Sequence, residues 1–341
     1  MPHLVHLIVA TGLATSAPEA TRAAGPALEG IRQGAAALEP LMQTRLARRF
    51  LTACAELPVP PAKTIFRDTL RGDYFGRAEA ESRPDTLRSR LKPESVDGLF
   101  YYQVRHGPIL SYARMFEILG AVGVDSLDHR RVLDFGYGRI GHLRALASLG
   151  AAAVGVDIDP QLRALYSEPW DQGEVRGPEG RVGFVTAITG WFPGDSTTRA
   201  AVGGGYDLVI SKNTLKGGSF PDERVRQRRV IDLGVSDSAF VRGVAGCLRP
   251  GGLFMMYTAS GPLGNAACPF SEAMLRAAGF EIMVYDGDDS PGARVMMSAL
   301  HRGPAGNETG VSGSIEGPAD TFAQLTALYT LVRKAPERER H

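Results

Sequence analysis

The chain has 341 residues, of which 44% are hydrophobic, and its 38 basic side chains nearly balance 37 acidic ones, for a net charge of +1. This size and apolar share are typical of a globular protein with one large domain or two modest ones. The near-zero charge gives no electrostatic case for nucleic acid as the main partner. The cysteines Cys54, Cys247 and Cys268 are too far apart for a zinc motif or a disulfide framework, so no metal is expected.

The first residues leave the location of the protein open. Residues 4–17 are fairly apolar and end in four small residues, as a signal peptide would. No Lys or Arg precedes them, however, and Thr11 and Gly12 weaken the apolar run. We therefore expect a cytoplasmic protein, with secretion as the alternative. No other stretch approaches the about 20 apolar residues that a membrane span needs, so no membrane partner is expected.

Two regions precede the main domain. Residues 1–61 are predicted to be an Ala-rich leader followed by one helix, which ends before a Pro-rich break at residues 58–61. Residues 62–129 contain few strand signals, but they include an aromatic segment at 99–102 and a helical pattern at 109–119. This second region is predicted to be a helical N-terminal cap.

Residues 130–302 alternate short apolar runs with helical patterns, which predicts a doubly wound, mostly parallel α/β sheet of seven strands. The predicted strands are residues 132–135, 153–156, 182–188, 207–210, 253–257, 281–285 and 294–300, and the predicted helices are residues 140–149, 160–166, 238–248 and 270–278. Only residues 286–293 separate the last two strands, so these two should pair antiparallel. Residues 303–341 are predicted to be a linker, a short amphipathic helix at 321–332 and a charged tail.

The chemistry-bearing motif is the Gly-x-Gly-x-x-Gly pattern of Gly136, Gly138 and Gly141, between the first strand and its helix. Glycines here let the backbone turn sharply towards a ligand, and the following helix presents unpaired N–H groups. Asp157 ends the second strand, where an acidic residue can accept hydrogen bonds from two ribose hydroxyls. The carboxylate of Asp134 would repel a pyrophosphate and attract an α-ammonium group. The pattern favours a sulfonium nucleoside that carries an amino acid over a dinucleotide.

Four ordered motifs carry a family resemblance: Val-Leu-Asp-Phe-Gly-Tyr-Gly at 132–138, Val-Asp-Ile-Asp at 156–159, Tyr-Asp-Leu-Val-Ile-Ser at 206–211 and Leu-Arg-Pro-Gly-Gly at 248–252. Together they resemble the motifs of Rossmann-like (class I) S-adenosylmethionine-dependent methyltransferases, over about half of the chain. The resemblance implies parallel-type strands closed by an antiparallel seventh strand. It also implies the cofactor S-adenosyl-L-methionine, bound across the carboxyl ends of the first, second and fourth strands.

The resemblance further implies which residues hold the cofactor. Members of the family often carry an acidic residue after the third strand, where it bonds the adenine amine. This chain lacks that acid, so adenine contacts are expected from backbone groups or from the hydroxyl of Thr186 or Thr189. The implied cofactor residues are Asp134, Gly136, Tyr137, Gly138, Gly141, Asp157, Ile158, Thr186 and Ser211.

A methyl group on a sulfonium is already activated, so an acceptor placed in line with it needs no catalytic triad and a base is optional. The candidates for catalysis are His106, which has the ordinary pKa of a base, and Asn213; a structural histidine is the alternative for His106. The candidates for substrate binding are Tyr101, Tyr102 and Lys212, and a solvated surface lysine is the alternative for Lys212. The chain lacks an Asn/Asp-Pro-Pro-Tyr/Phe motif after the fourth strand, so we expect a small-molecule methyl acceptor.

Two other functions stay open beside a small-molecule methyltransferase. The first is an NAD-dependent oxidoreductase, which Asp134 and the terminal antiparallel pair disfavour. The second is a catalytically silent binding protein, in which the glycines and Asp157 would preserve a ligand site without transfer. The arginine cluster at residues 224–229 fits either a solvated helix face or a clamp for an anionic acceptor. The sequence leaves the oligomeric state open.

Overall fold

The computed structural model describes residues 26–96, 98–102, 109–215, 233–260, 267–302 and 319–336. Within them the chain forms a three-stranded sheet and an eight-stranded sheet. The strands are β1 (Lys63–Asp68), β2 (Tyr74–Phe75), β3 (Leu91–Val96), β4 (Arg131–Phe135), β5 (Ala152–Asp157), β6 (Gly173–Arg176), β7 (Val182–Thr189), β8 (Tyr206–Lys212), β9 (Leu248–Ser260), β10 (Phe280–Asp288) and β11 (Thr326–Lys334). The α-helices are α1 (Pro26–Leu38), α2 (Arg45–Ala55), α3 (Arg77–Glu81), α4 (Asp85–Arg88), α5 (Gly98–Tyr102), α6 (Ala113–Ala121), α7 (Gly141–Ser148), α8 (Pro160–Leu165), α9 (Ser196–Val202), α10 (Asp237–Cys247), α11 (Glu272–Ala277) and α12 (Ser290–Arg302).

The large sheet has the strand order β10-β11-β9-β8-β4-β5-β7-β6. The neighbours from β9 to β7 run parallel to one another, which confirms the predicted doubly wound α/β fold. β11 runs antiparallel to β9 and β10, and β6 runs antiparallel to β7. The sheet thus has eight strands rather than seven, because β6 adds an unpredicted strand at one edge. The winding reverses at β4, so the carboxyl ends of β4, β5 and β8 border one crevice.

The predicted seventh strand, residues 294–300, is wrong: these residues lie in helix α12. Ala293, Met296 and Leu300 are buried, whereas Val295 is exposed. The spacings of three and four residues between the buried positions place them on one helix face, and a strand does not have that period. A helix therefore does fit between β10 and the strand that follows it.

The predicted C-terminal helix at residues 321–332 is also wrong, because β11 occupies most of that segment. The neighbouring residues Leu331 and Val332 are both fully buried, as is typical of a strand that is covered on both faces. β11 fills the gap between β9 and β10 and pairs with both. The predicted antiparallel last strand is thus confirmed, but residues 326–334 form it, and the predicted pairing of residues 281–285 with 294–300 is wrong.

The N-terminal regions are only partly helical. The leader carries two helices, α1 and α2, rather than one, and the predicted pattern at 109–119 forms a short 3-10 turn and α6. The predicted helical cap also contains the three-stranded antiparallel sheet, in the order β2-β1-β3. Its strands bury few apolar side chains, among them Ile65 and Val96, so their alternation is too weak to stand out in the sequence.

Alternation along β4 assigns each side chain to one face of the large sheet. Val132 packs into the core cluster that α6, α7 and the N-terminal helices share, whereas Leu133 packs into the cluster on the opposite face. Asp134 therefore points to the same side as Val132, where Tyr112 meets it. The cap covers the sheet at the end of β4.

No helix in the described ranges is both long and apolar enough to cross a membrane. The same residues hold no group of three or more His, Cys, Asp or Glu side chains that could bind a metal ion. Burial raises the pKa of the Cys247 thiol to about 12, so it stays protonated at neutral pH and is a poor nucleophile.

Candidate functional site

A tight turn joins β4 to α7 at the glycine motif. Gly136 and Gly138 have φ angles of 78° and 60°, in the left-handed region that favours glycine. A Cβ atom at Gly136 would also lie 2.2 Å from Oγ1 of Thr214. The N–H of Gly136 donates to the carbonyl of Val156 at 2.8 Å, which ties the turn to β5. The backbone therefore requires the first two glycines of the motif.

Two other implied cofactor residues of this turn pack inward. A Cβ atom at Gly141 would lie 2.8 Å from Cδ1 of Ile109, so this glycine lets α7 approach the cap. The ring of Tyr137 is buried against Gly155, where a Cβ atom would lie 2.6 Å from Tyr137 Cγ. The Tyr137 hydroxyl has no hydrogen-bond partner among the described residues. Both residues shape the turn by packing, and their contact with a ligand stays a prediction.

Asp157, at the end of β5, faces the glycine turn. Its Oδ2 accepts a hydrogen bond from the N–H of Gly138 at 3.1 Å, and its Oδ1 accepts one from the N–H of Asp159 at 3.1 Å. A carboxylate has about four acceptor positions, so about two are left for further donors. Burial raises the pKa of Asp157, and the hydrogen bonds from Asp159 and Gly138 oppose that shift. The structure thus joins the glycine turn and the acidic strand end.

Apolar side chains are partly exposed in the segments that follow β5 and β7. Ile158 is 46% exposed and Trp191 is 40% exposed. The N–H of Gly190, which precedes the tryptophan, donates to the backbone carbonyl of Asp157 at 2.9 Å. The ends of β5 and β7 therefore present apolar surface at the same edge as the carboxylate.

The structure does not bring Thr186 to this edge. In the parallel register of β5 and β7, Thr186 lies opposite Val154, in the body of the strand. Thr189 lies opposite Asp157. The threonine hydroxyl that is level with the strand end is therefore that of Thr189.

Asp134 is 0% exposed on the cap side of β4. Its Oδ2 accepts a hydrogen bond from the Tyr112 hydroxyl at 3.0 Å and lies 2.5 Å from Nε2 of His142. The rings of Tyr112 and His142 stack with 4.0 Å between their centroids. Burial and the neighbouring carboxylate of Asp134 raise the pKa of Tyr112, so its hydroxyl keeps the proton that it donates. Within the described ranges, the buried Oδ1 of Asp134 has no hydrogen-bond partner.

Because solvent does not reach Asp134, its charge can act on a ligand only through the electrostatic field across the turn. A buried carboxylate also needs hydrogen-bond donors, and the protein supplies them from two separate elements. Tyr112 precedes α6 and His142 lies in the first turn of α7. The cap and the helix after the glycine turn therefore hold this carboxylate together.

Side chains at the end of β8 hold the glycine turn from the other side. The Ser211 hydroxyl donates to the carbonyl of Phe135 at 3.0 Å, and the Thr214 hydroxyl donates to the carbonyl of Gly136 at 3.2 Å. Ser211 is buried. In the structure Ser211 stabilises the turn through this hydrogen bond, and its contact with the cofactor stays a prediction.

Lys212 is 8% exposed, so the alternative of a solvated surface lysine is wrong. Its Nζ lies 5.2 Å from the centroid of the Tyr112 ring, within the range of a cation–π contact. Its predicted role in substrate binding stays a prediction. His106 and the arginine cluster at residues 224–229 lie outside the described residues.

Asn213 has a left-handed backbone, with a φ angle of 59°. Its Oδ1 accepts a hydrogen bond from the N–H of Ala259 at 2.8 Å, and its own N–H donates to the carbonyl of Tyr257 at 2.9 Å. Asn213 therefore fastens the end of β8 to β9. A catalytic role for this side chain stays a prediction.

The structure places Tyr101 and Tyr102 in the joint between the cap and the α/β domain. The Tyr101 hydroxyl donates to Asp171 at 2.8 Å, and Asp171 also pairs with Lys63 of β1. The Tyr102 hydroxyl donates to the carbonyl of Pro58 at 2.8 Å. Both rings are buried. Substrate binding by these tyrosines stays a prediction that the observed contacts do not support.

Tyr112 and His142 are the site residues that the sequence interpretation missed. One signal for His142 was present: Asp134 lies in an apolar strand and needs donors, and His142 follows it by eight residues in the next helix. Tyr112 lies 22 residues before Asp134. Only the packing of the cap onto the sheet identifies it.

No family model and no curated protein matches this chain. Among solved structures, it is similar to the cyclase SpnF, with 17% identity, 86% of this chain and 93% of that chain covered, and a TM-score of 0.39. It is also similar to phosphoethanolamine N-methyltransferase 2 of Haemonchus contortus, with 15% identity, coverage of 72% and 63%, and a TM-score of 0.38. For geranyl diphosphate C-methyltransferase of Streptomyces coelicolor, the identity is 11%, the coverage 67% and 82%, and the TM-score 0.35. These values are low, so strand order and direction, not these similarities, define the fold.

Proposed function

We propose that this chain is an S-adenosylmethionine-dependent methyltransferase that acts on a small molecule. One observation carries the proposal: the glycine turn, the Asp157 carboxylate bonded to it and the buried Asp134 meet at the ends of β4 and β5. This arrangement suits a nucleoside whose ribose bonds Asp157 and whose cationic amino acid end lies over the turn.

The residues around the crevice suit each part of such a nucleoside. Asp157 has acceptor positions left for two ribose hydroxyls. The left-handed glycines Gly136 and Gly138 expose backbone without Cβ atoms, so a ligand can approach closely. Ile158 and Trp191 offer apolar surface to a flat base.

The same features weigh against an NAD-dependent oxidoreductase. A pyrophosphate over the turn would lie near the Asp134 carboxylate, and like charges repel in a buried, low-dielectric setting. The doubly wound dinucleotide fold also has no strand inserted antiparallel between its fifth and sixth strands. In this chain β11 takes that place between β9 and β10.

When bound, S-adenosylmethionine supplies a methyl group that is already activated on a sulfonium, so positioning and exclusion of water are the main tasks of the protein. In this proposal the end of β8 and the cap border the edge where an acceptor would bind. Lys212 is buried there and can orient a polar or anionic acceptor. Asn213 and His106 are the candidates for hydrogen bonding to the acceptor and for removing its proton.

Calorimetric titration with S-adenosylhomocysteine and with NAD tests the identity of the cofactor. We expect S-adenosylhomocysteine to bind and NAD not to bind. Asp157→Ala should weaken binding by about 1.5–3 kcal/mol, or roughly 10- to 150-fold, because charge-assisted hydrogen bonds to the ribose are lost. Asp207→Ala is the matched control, since Asp207 also bonds a backbone N–H, that of Arg131, but at the start of β8. Binding of NAD without binding of S-adenosylhomocysteine would contradict the proposal.

A transfer assay separates an enzyme from a catalytically silent binding protein. The chain is incubated with methyl-labelled S-adenosylmethionine and a low-molecular-weight cell extract as the pool of acceptors, and S-adenosylhomocysteine release is measured. Gly138→Val is the negative control, because its side chain would fill the turn and strain a left-handed backbone. Cofactor binding with no release above that of Gly138→Val would favour the silent binding protein.

A further inference from the structure

A cavity of about 330 Å³ lies between the three-stranded sheet and the first turn of α8. Neither the residues of the glycine turn nor Asp157 line this cavity, so it is separate from the site described above. The charged residues of the wall are Arg71, Arg83, Arg90, Arg163, Asp68 and Asp73. Four arginines against two aspartates give the wall a surplus of positive charge.

The acidic groups around the cavity are largely engaged by the protein itself. Asp68 accepts a hydrogen bond from the N–H of Leu70 at 2.9 Å and one from Arg90 at 3.0 Å. The hydrogen bond from Leu70 lowers the pKa of Asp68, so this carboxylate is ionised and internally satisfied. Behind the wall, Glu79 lies 2.5 Å from Arg83 and 3.4 Å from Arg163.

The arginines of the wall have N–H groups that are not used in hydrogen bonds to the acidic side chains. A guanidinium has five N–H donors in a planar fork. Arg90 donates one hydrogen bond to Asp68, and Arg83 donates one to Glu79. Across the described ranges, the guanidinium of Arg71 has neither a hydrogen bond nor an ion pair. Asp73 is the remaining acid on the wall, and it balances only one of these cations.

We propose that this cavity binds a phosphoryl group, carried by a small organic monoester or present as free phosphate. The planar fork of arginine matches pairs of phosphate oxygens. The four arginines of the wall still outnumber its two aspartates and the Glu79 behind it, so the cavity complements an anion. Phe75 and Leu87 add apolar surface to the same wall, which suits the organic part of a monoester. The volume lies near the lower end, about 300 Å³, of pockets that hold small molecules.

This inference does not rest on methyl transfer. It does place a second ligand on a helix that the cofactor crevice shares, because α8 begins at Pro160, directly after its N-cap Asp159. Pro160 and Arg163 are both on the cavity wall. Asp159 in turn donates its N–H to Asp157, at the ribose-binding end of β5.

Calorimetric titration of the full chain at fixed ionic strength, with inorganic phosphate, phenyl phosphate and phenol, tests the proposal. We expect both phosphates to bind and phenol not to bind. Arg71→Ala and Arg163→Ala should each weaken the binding of both phosphates about tenfold, because each removes charge-assisted hydrogen bonds. Arg71→Lys keeps the charge but loses the fork, so its effect should be intermediate.

The matched control is Arg176→Ala, since Arg176 is an exposed arginine of β6 that does not line the cavity. Its affinity for both phosphates should equal that of the wild type. Tighter binding of phenyl phosphate than of phosphate would assign the site to a monoester, and equal affinities would assign it to free phosphate. Arg83 and Arg90 are left intact because they donate hydrogen bonds to Glu79 and Asp68, whereas Arg163 forms only a longer ion pair with Glu79, at 3.4 Å.

Two results would overturn the inference: no saturable binding of either phosphate to the wild type, or binding that survives Arg71→Ala combined with Arg163→Ala. Thermal unfolding of the variants checks that they fold. S-adenosylhomocysteine is titrated into the same samples. Its binding in the absence of phosphate binding would overturn this inference alone, and the converse would overturn the proposed cofactor alone.

Discussion

The charge of the buried Asp134 underlies the preference for a cationic ligand, and Tyr112→Phe tests that charge. The substitution removes one hydroxyl and leaves the ring in place against His142. Tyr112 and Asp134 are both buried, so water cannot replace the lost donor without rearrangement. The effect on stability therefore reports the strength of a single hydrogen bond.

The structure sets the expected size of the effect. A hydrogen bond to a charged group contributes about 1.5–3 kcal/mol, whereas one between neutral groups contributes about 0.5–1.5 kcal/mol. The Tyr112 hydroxyl lies 3.0 Å from Asp134, so we expect the free energy of unfolding to fall by the larger amount. Tyr102→Phe is the matched control: it is also a buried cap tyrosine, but its hydroxyl donates to a neutral carbonyl, that of Pro58, at 2.8 Å.

Urea unfolding at neutral pH measures the free energy of unfolding of both variants. Equal m-values for wild type and variants would show that their unfolded states are comparable. A second measurement repeats Tyr112→Phe in an Asp134→Asn background, where its effect should shrink to that of a neutral hydrogen bond. Equal losses for Tyr112→Phe and Tyr102→Phe would mean that Asp134 is uncharged in the folded protein. The electrostatic argument against a dinucleotide would then fail.

Three further changes test other parts of the structure. Burial raises the pKa of Asp157 above its ordinary 3.8, so its contribution to stability is greatest below that pH and is lost as the pH rises through the raised pKa. Asp157→Asn removes this loss, so its stability relative to the wild type, measured by urea unfolding, should increase as the pH rises from 3.8 through the raised pKa; a constant difference would refute the shift. Glu117 accepts hydrogen bonds from the N–H groups of Gln43 and Thr44, at 2.9 and 3.1 Å, where α2 begins. Glu117→Ala should therefore lower the free energy of unfolding by about 1–3 kcal/mol and Glu117→Gln by less, and similar losses would argue against the capping role. Gly136→Ala should lower the melting temperature because of its left-handed φ and its contact with Thr214, and adding Thr214→Ala should restore part of the loss; no restoration would leave backbone strain as the sole cause.

Local patterns were sufficient for the parallel strands and for the glycine turn. β4, β5, β7, β8 and β9 lie where the apolar runs predicted them, because a strand that is buried on both faces is recognisable from its own residues. The turn at Gly136 and the acid Asp157 are also local signals, and the strand order brings them together.

The end of the domain could not be predicted in the same way. The predicted segments 294–300 and 321–332 contain too few apolar residues for the sequence alone to separate a helical period from a strand period, so helix and strand were exchanged. β11 is a strand because it completes hydrogen bonding between β9 and β10, which lie far from it in sequence. A pattern confined to one segment contains no information about such partners.

In the candidate site, too, some residues could be predicted from local patterns and others depend on contacts between distant segments. The sequence left the hydroxyls of Thr186 and Thr189 as alternatives, and the register with β5 decides that Thr189 is level with Asp157. The hydrogen bond from Tyr112 to Asp134 depends on how the cap packs, which no nearby residue specifies. Register and packing are properties of the assembled chain, so these residues had to come from the structure.

The position of β11 has a consequence for the synthesis of the protein. Chains emerge from the ribosome from the amino end, so β9 and β10 are made before the strand that lies between them. Until residues 326–334 emerge, both strands carry unpaired N–H and C=O groups along the edges that face each other across the gap. Such edges can pair with strands of other chains. We therefore expect nascent or C-terminally truncated forms to aggregate and to need chaperones until β11 has been inserted.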